Sequence, residues 1–227
     1  KRHTMRLTKA MLVGGSTALL LAVVDVHAIR LDFASVDDAV VRSGGASDLY
    51  FQDSTAPGSA GYDFDIGLVA GGVGDSLGLL GNITEPVGGF IIGVPVAVPG
   101  GESAPVTGSG TLSIFDGANT LSGTVDWQSL TRIGVTGLLN VTGLLNLTTI
   151  TYPAAGTVQD LIDLAAPGLG SAVVTFQMGG ATITDVKTTP AFTTYSGAVT
   201  SAPDGGWTLG LMGLSVMALA VCRRRGA

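Results

Sequence analysis

The sequence is nearly free of cysteine and histidine. Its one cysteine is Cys222, near the C-terminus, and its two histidines are His3 and His27, near the N-terminus. The long segment between them therefore cannot form an internal disulfide, a catalytic site with a histidine base, or a zinc or copper site of thiolate and imidazole ligands. Such a segment must be stabilised by packing, and residues 29–203 are numerous enough for one core of ordinary size. The composition indicates no cofactor.

Positive charge is scarce in the same segment. Residues 29–203 contain four of the 11 Lys and Arg residues but 15 of the 17 Asp and Glu residues, so their net charge is −11. The whole-chain value of −6 hides this imbalance because both ends are basic. An acidic surface disfavours binding to nucleic acid and to anionic lipid. It is compatible with solubility outside the cell and with weak binding of divalent cations.

The N-terminal segment has the layout of a secretory signal peptide, predicted over residues 1–28. Its basic residues are Lys1, Arg2, Arg6 and Lys9. An apolar run over residues 10–24 follows, and Val26 and Ala28 place small residues where signal peptidase reads, which predicts cleavage after Ala28. Met5 is a candidate start residue. The alternative is an uncleaved N-terminal anchor, but the run is shorter than the roughly 20 residues of a full span.

The C-terminal segment combines a polar turn, an apolar run and a basic end. The turn is Ala202, Pro203, Asp204, Gly205 and Gly206, and the basic end contains Arg223, Arg224 and Arg225. Residues 207–222 carry no charge and predict a transmembrane helix, while the arginines resist translocation and hold their end in the cytoplasm. Proline and two glycines disfavour helix just outside the run, which leaves that backbone open to a protease. Since both basic ends are expected to stay on the cytoplasmic side of the membrane, residues 29–200 are predicted to be the exported domain and residues 201–227 its insertion signal.

The exported segment has the composition of β-strands. It is rich in Gly, Thr, Val, Ser and Leu, and turn residues interrupt it often. The clearest unit is a hairpin over residues 110–116 and 120–127, in which apolar residues alternate and Asp116 and Asn119 supply the turn. Two copies of one hexapeptide follow at residues 135–146. Two copies are too few for a solenoid, so we predict one long strand.

The remaining elements complete an all-β prediction. The long strand continues with Leu147, Thr149 and Thr151 on one face, and a short helix follows, with Thr157 and Asp160 as a capping box. Further strands are predicted at residues 29–33, 48–52, 62–69, 90–98, 171–178 and 181–187, with glycine-rich loops at 71–81 and 99–105. Predicted hairpins, without alternating βαβ units, indicate an antiparallel β-sandwich of the jelly-roll type. This domain is placed between a signal helix and a transmembrane helix.

The C-terminal tail resembles the PEP-CTERM class of bacterial protein-sorting signals. It is closest to the variant whose motif reads Val-Pro-Asp-Ser-Gly: Pro203, Asp204 and Gly206 match, whereas Ala202 replaces valine and Gly205 replaces serine. The resemblance covers only this tail. It implies recognition by exosortase, a multi-span membrane enzyme of transpeptidase type, with cleavage near the motif. It also implies release or transfer of the domain to the surface of a Gram-negative bacterium that makes exopolysaccharide.

Three functions are compatible with these features of the sequence. The first is a non-enzymatic surface or matrix protein whose partners are signal peptidase, exosortase, the membrane through residues 207–222 before processing, and an exopolysaccharide. The second is a secreted glycan-binding or glycan-active module, which a cleft of aromatic residues flanking two acids would indicate. The third is an uncleaved single-pass membrane protein. The aromatic candidates for such a cleft are Tyr62, Trp127, Tyr152 and Tyr195.

Calcium sites are a further hypothesis for the acidic turns. Calcium prefers several oxygen ligands, and three short patterns offer them. None follows the spacing of an EF-hand or of a calcium-binding repeat, so solvated turn acids are the favoured interpretation. The candidate ligands are Asp37, Asp38, Asp63, Asp65, Asp116 and Asn119.

Overall fold

The structure is a computed structural model that describes residues 28–44, 49–133, 138–179 and 182–201. The predicted signal helix and transmembrane helix lie outside these ranges. The strands are β1 (Arg30–Ser35), β2 (Val40–Ser43), β3 (Leu49–Gln52), β4 (Phe64–Ala70), β5 (Leu80–Thr84), β6 (Ile91–Ile92), β7 (Val96–Val98), β8 (Gly101–Thr107), β9 (Ser109–Phe115), β10 (Thr120–Ile133), β11 (Leu138–Thr151), β12 (Gly170–Gly179), β13 (Ala191–Thr193) and β14 (Tyr195–Ser201). The helices are α1 (Gln159–Ala165) and α2 (Ile183–Thr188). Neither of these two helices is long and apolar enough to cross a membrane.

Eight strands form one closed, barrel-like antiparallel sheet. Their order around the ring is β11, β12, β14, β1, β4, β5, β9 and β10, and β10 pairs back onto β11. Inward residues are mostly apolar and outward residues are mostly polar, as the alternating burial along β10 illustrates. The ring therefore encloses a core with side chains from every one of its strands.

The two longest strands, β10 and β11, close the ring. Each has 14 residues. β10 pairs with β11 from Ser122 to Ile133, while its other edge pairs first with β9 and then, from Ser129 onward, with β8. β8 in turn carries the short strands β6 and β7. The long strand β10 thus joins the closed sheet to an additional three-stranded extension of β8, β6 and β7.

A second sheet, of β13, β2 and β3, packs against the core of the first. Its central contact is Phe51, whose ring centroid lies 6.2 Å from that of Trp127 and 5.1 Å from that of Tyr195. The ring centroid of Phe90 lies 5.0 Å from that of Trp127. Since all four rings are almost fully buried, this aromatic cluster fixes the small sheet against the interior of the ring.

The first and last strands of the domain lie side by side. β1 pairs with β14, with Arg30 opposite Thr200. Just before β1, the Ile29 amide donates to Ser201 Oγ at 3.1 Å, and the Ser201 amide donates to the Ile29 carbonyl at 3.0 Å. The chain therefore enters and leaves the domain at the same end of the closed sheet.

Helix α1 is tied to the loop after β4 by two aspartates. The Asp75 carboxylate accepts from the first amides of the helix, those of Gln159 and Asp160. In return, the buried Asp160 carboxylate accepts from the amides of Val73 and Ser76, at 2.7 and 2.9 Å. Asp160 thus anchors a distant loop and not its own helix start, and the predicted capping role of Thr157 is wrong, because Val158 occupies the cap position without a side-chain cap.

The all-β antiparallel prediction is confirmed, and so are the hairpin of β9 and β10, the short helix after β11 and the strand at β12. The expectation of one helix is wrong, because α2 is a second. The arrangement differs from the predicted jelly-roll sandwich, because β11 pairs with both β10 and β12 and joins all eight strands into one ring. Alternation of apolar and polar residues is the same in a sandwich and in a closed sheet. The pattern therefore could not distinguish them.

Three local predictions are wrong. Residues 181–187 were expected as a strand, but α2 lies there, because the Thr182 side chain caps the helix by accepting from the Asp185 amide at 3.0 Å. The expected loop at 99–105 is mostly β8, which gains its hydrogen bonds from the far half of β10. The expected strand at 90–98 is divided into β6 and β7.

The faces of β11 also differ from the prediction near its end. Leu147 and Ile150 are both buried, although strict alternation places them on opposite faces. Thr149 has a φ of 54°, and the register against β10 shifts at the same place. This bulge reverses the side-chain alternation and returns Ile150 to the core.

Gly143, in the second hexapeptide copy, makes room for the indole ring of Trp127. A methyl group at Gly143 would overlap that ring. We expect Gly143→Ala to lower the free energy of unfolding by about 1–3 kcal/mol, the usual cost of overpacking. Urea unfolding followed by circular dichroism measures this change.

The matched control is Gly67→Ala on β4, where a methyl group meets open space. Its effect should stay within about 0.5 kcal/mol, as for most surface changes. Equal stabilities of the two variants would contradict the packing of Trp127 against β11.

Candidate functional site

A cleft of about 480 Å³ lies between the end of β3 and the end of β5. Tyr50, Gln52 and Asp53 line it from the β3 side, and Asn82, Thr84 and Glu85 line it from the β5 side. All six side chains are polar, and four kinds of chemical group line the cleft: a phenol, two amides, two carboxyls and an aliphatic hydroxyl. The cleft therefore offers both donors and acceptors of hydrogen bonds.

Strand alternation explains why these side chains face outward. On β3, Leu49 and Phe51 are buried, so the residues between and after them point to solvent. On β5, Gly81 and Ile83 point inward, which turns Asn82 outward. Asn82 is held in place because its amide group donates to the Gly61 carbonyl at 2.9 Å, while its oxygen accepts from a backbone amide at 3.1 Å.

A buried carboxyl group, that of Asp63, lies behind the cleft. The residue is 1% exposed. Its Oδ2 accepts from the Ile83 amide at 2.7 Å, whereas its Oδ1 has no hydrogen-bond donor in the described part of the chain. Burial raises the pKa of Asp63 to about 8, and the nearby Asp53 carboxyl adds to the shift, so that the group holds its proton at neutral pH.

Two further groups of the same cluster hold their protons more tightly than usual. Burial raises the pKa of Glu85, and the negative charge of Asp53 adds to that effect. Burial also raises the pKa of Tyr195, and the charges of Asp63 and Asp53 contribute. The Tyr195 hydroxyl is buried and has no hydrogen-bond partner among the described residues. The cluster thus contains two buried polar side chains whose hydrogen bonds are incomplete.

This chemistry suits hydrogen bonding to a polar organic group. A protonated Asp63 can share a hydrogen bond with the Asp53 carboxylate, which two ionised carboxylates cannot do. In the described ranges, no three acidic, histidine or cysteine side chains are arranged to hold a metal ion. The cleft therefore presents carboxyl, amide and hydroxyl groups to a ligand, with no metal-binding cage.

An exposed aromatic ledge leads to the cleft. Phe192, Arg42 and Tyr50 are directly opposite one another on the neighbouring strands β13, β2 and β3. The Arg42 guanidinium lies 4.7 Å from the ring centroid of Phe192 and 4.9 Å from that of Tyr50. These cation–π contacts hold the Tyr50 ring at the rim of the cleft.

The predicted processing residues lie outside the described part of the chain, with one exception. This applies to Val26, to the motif residues 202–206, to the run 207–222 and to the arginines 223–225. Ala28 is described; it is exposed and directly precedes the Ile29 amide that bonds to Ser201.

The candidate calcium ligands mostly hold turns in place. Asp38 accepts from the Ser54 hydroxyl at 2.6 Å and from the Thr55 amide at 2.9 Å, and these bonds lower its pKa. Asp116 accepts from the amides of its own turn and from the Tyr152 hydroxyl. Their oxygens thus already serve as acceptors within the fold.

The structure does not bring the four candidate aromatic residues into one cleft. Trp127 and Tyr195 are buried in the core, Tyr62 stacks on Phe115, and Tyr152 lines a different depression near α1. The aromatic residue at the acidic cleft is Tyr50, which the sequence reasoning missed. Its signal was an outward position within a predicted strand, three residues before the acid Asp53.

The pKa of Asp63 predicts how stability changes with pH. The folded-state value is about 8 and the reference value is 3.8, so folding takes up a proton between these pH values. The contribution of Asp63 to stability is therefore lost as the pH rises from about 4 to about 8. We expect Asp63→Asn to flatten this decline and to be the more stable protein at pH 8, by at least about 1 kcal/mol. Urea unfolding at a series of pH values measures both effects.

Asp65→Asn, on the outward face of β4 two residues after Asp63, is the control and should keep the pH slope of the wild type. Parallel slopes for wild type and Asp63→Asn would show that Asp63 is ionised in the folded protein at neutral pH.

Comparison with known proteins found no matching family model, no significantly similar curated protein and no significantly similar solved structure.

Proposed function

We propose that the chain is a non-enzymatic protein that is exported and displayed at the cell surface or in an exopolysaccharide matrix. The signal peptide over residues 1–28 directs export, and the PEP-CTERM-like tail over residues 201–227 holds the protein transiently in the inner membrane. Exosortase then cleaves near the motif and releases or transfers the domain. Signal peptidase and exosortase are the processing partners, and an exopolysaccharide is the partner in the matrix.

The observation that carries this proposal is the pairing of the two ends of the domain. Ile29 and Ser201 exchange hydrogen bonds. The predicted signal cleavage falls directly before Ile29, and the predicted sorting motif begins directly after Ser201. Both tails therefore leave from the same end of the closed sheet, so both can enter one bilayer while the domain lies on the far side. Removal of both tails leaves every described strand intact.

The outer face of the closed sheet also supports a surface role. Thr84, Thr111, Thr124 and Thr148 stand opposite one another across four neighbouring strands. A parallel row contains Asn82, Ser113, Ser122 and Thr151. Uncharged hydroxyl groups on a regular sheet suit contact with water and with other hydroxylated polymers.

A glycan-binding module is the second candidate, and the acidic cleft favours it. The combination of Tyr50 with Asp53 and Glu85 places an aromatic ring beside two acids in one concave site. A glycan-binding module is compatible with export, and it differs from the first candidate in that the domain binds a glycan ligand.

The topology predicts a specific pattern of protease access. In cells that express the full chain, externally added protease should degrade the domain of residues 29–200, because it lies outside the inner membrane. The measurement is an immunoblot of intact spheroplasts, with a cytoplasmic protein as the control for leakage. If the domain survives in intact spheroplasts and is degraded only after lysis, the proposed topology is wrong.

The sorting motif predicts a defined change in mass. In a host that contains exosortase, the mature protein should lack residues 207–227, as measured by intact-mass spectrometry. We expect Asp204→Asn to retain these residues, because it alters a matching motif position. The control Asp163→Asn changes an acid on α1 and should be processed normally. Retention of residues 207–227 in the wild type would support the uncleaved single-pass alternative.

A further inference from the structure

We propose that the cleft between Tyr50 and Glu85 binds neutral or amino-sugar units of a polysaccharide. This inference deepens the proposed surface function by naming a site and a ligand class, and it rests on that function only for the source of the polysaccharide. Four properties of the cleft support this assignment: incomplete hydrogen bonding behind it, the charge of its walls, the aromatic ledge at its rim and its size.

The first property is the pair of buried polar atoms without a partner. Asp63 Oδ1 and the Tyr195 hydroxyl are both inaccessible to solvent, and neither has a hydrogen-bond partner in the described residues. Burying such groups costs free energy unless a partner is supplied. The negative charge of Asp53, which lines the cleft, helps to raise the pKa of both groups. A ligand that bonds to Asp53 is therefore bound beside two buried polar groups whose own hydrogen bonds are incomplete.

The second property is the sign of the charge. Asp53 and Glu85 line the cleft, and the cation at the rim, Arg42, is stacked between two aromatic rings. Such walls repel carboxylate and phosphate groups. They accept hydrogen bonds from sugar hydroxyl groups and attract the ammonium group of an amino sugar. The charge therefore selects neutral or amino sugars over uronic acids.

The third property is the position of Tyr50. Arg42 and the cross-strand row with Phe192 hold its ring, so that little side-chain freedom is lost when a ligand packs against it. An aromatic ring offers apolar surface to the C–H face of a sugar, while the acids of the cleft take its hydroxyl groups. Gln52, Asn82 and Thr84 add amide and hydroxyl groups of both hydrogen-bonding kinds.

The fourth property is the size and openness of the site. A volume of about 480 Å³ lies within the range of small-molecule sites. Thr84 belongs both to the cleft and to the threonine row on the outer face of the sheet. A polymer can therefore place one or two sugar units in the cleft while its neighbours contact the hydroxylated surface.

The test measures binding of defined oligosaccharides to the full-length protein in a zwitterionic detergent that has no sugar headgroup. The probes are a dextran oligosaccharide, a chitosan oligosaccharide, an oligogalacturonate and calcium chloride alone, each titrated by isothermal calorimetry. We expect the dextran or the chitosan probe to bind and the oligogalacturonate not to bind. Asp53→Asn and Tyr50→Ala should each weaken binding by about tenfold or more, since each removes one main contact.

Asp126→Asn, an outward acid on β10, is the matched control and should bind as the wild type does. Circular dichroism checks that each variant is folded, and the near-isosteric Asp53→Asn keeps the test valid if Tyr50→Ala is destabilised. The inference is overturned if no oligosaccharide binds, if the oligogalacturonate binds best, if calcium alone accounts for the heat, or if both cleft variants bind like the control. The protease experiment above is independent, so loss of this site leaves the export proposal standing.

Discussion

Pairing between β10 and β11 is the constraint on which the rest of the domain depends. These two strands close the ring of eight, and their other edges recruit β8, β9 and β12. Closure leaves the ring itself without a free edge that a second chain could extend, a recurrent hazard of antiparallel sheets. It also fixes Trp127 inside the ring, and the aromatic contacts with Phe51 and Phe90 then hold the small sheet in place. The acidic cleft forms where that small sheet meets β5.

The candidate site and the chain ends depend on the same architecture in different ways. Antiparallel pairing of β1 with β14 brings Ile29 and Ser201 together, and the proposed membrane topology rests on this proximity. The cleft lies where two backbone segments distant in sequence, around Asp53 and around Glu85, approach each other. Its buried carboxyl group, Asp63, costs stability, and the fold tolerates that cost because Asp63 stays protonated and accepts from the Ile83 amide. A polar group kept in such a position is typical of a binding site.

Local sequence patterns predicted those parts of the fold that depend on neighbours along the chain. The hairpin of β9 and β10 was predicted because alternation and a turn signal of Asp116 and Asn119 coincide. Residues 181–187 were assigned wrongly because their apolar positions fit a strand as well as a helix, and the Thr182 cap decided the outcome. The loop assignment at 99–105 failed because β8 is stabilised by β10 and not by its own residues. The sequence contains the acidic residues of the cleft, but nothing in it indicated which of them would lie close together.

By itself, the sequence determined the all-β class of the domain, its acidic charge and the absence of histidine and cysteine chemistry from residues 29–203. It also predicted an export signal at the N-terminal end and a sorting signal at the C-terminal end. These follow from composition and from short patterns whose physics is local. Only the tertiary structure decided that the sheet is closed, that Ile29 and Ser201 meet, and that Tyr50, Asp53 and Glu85 line one cleft in front of Asp63. Closure and strand register depend on pairing between residues far apart in the chain, and alternation along one strand carries no information about which strand lies beside it.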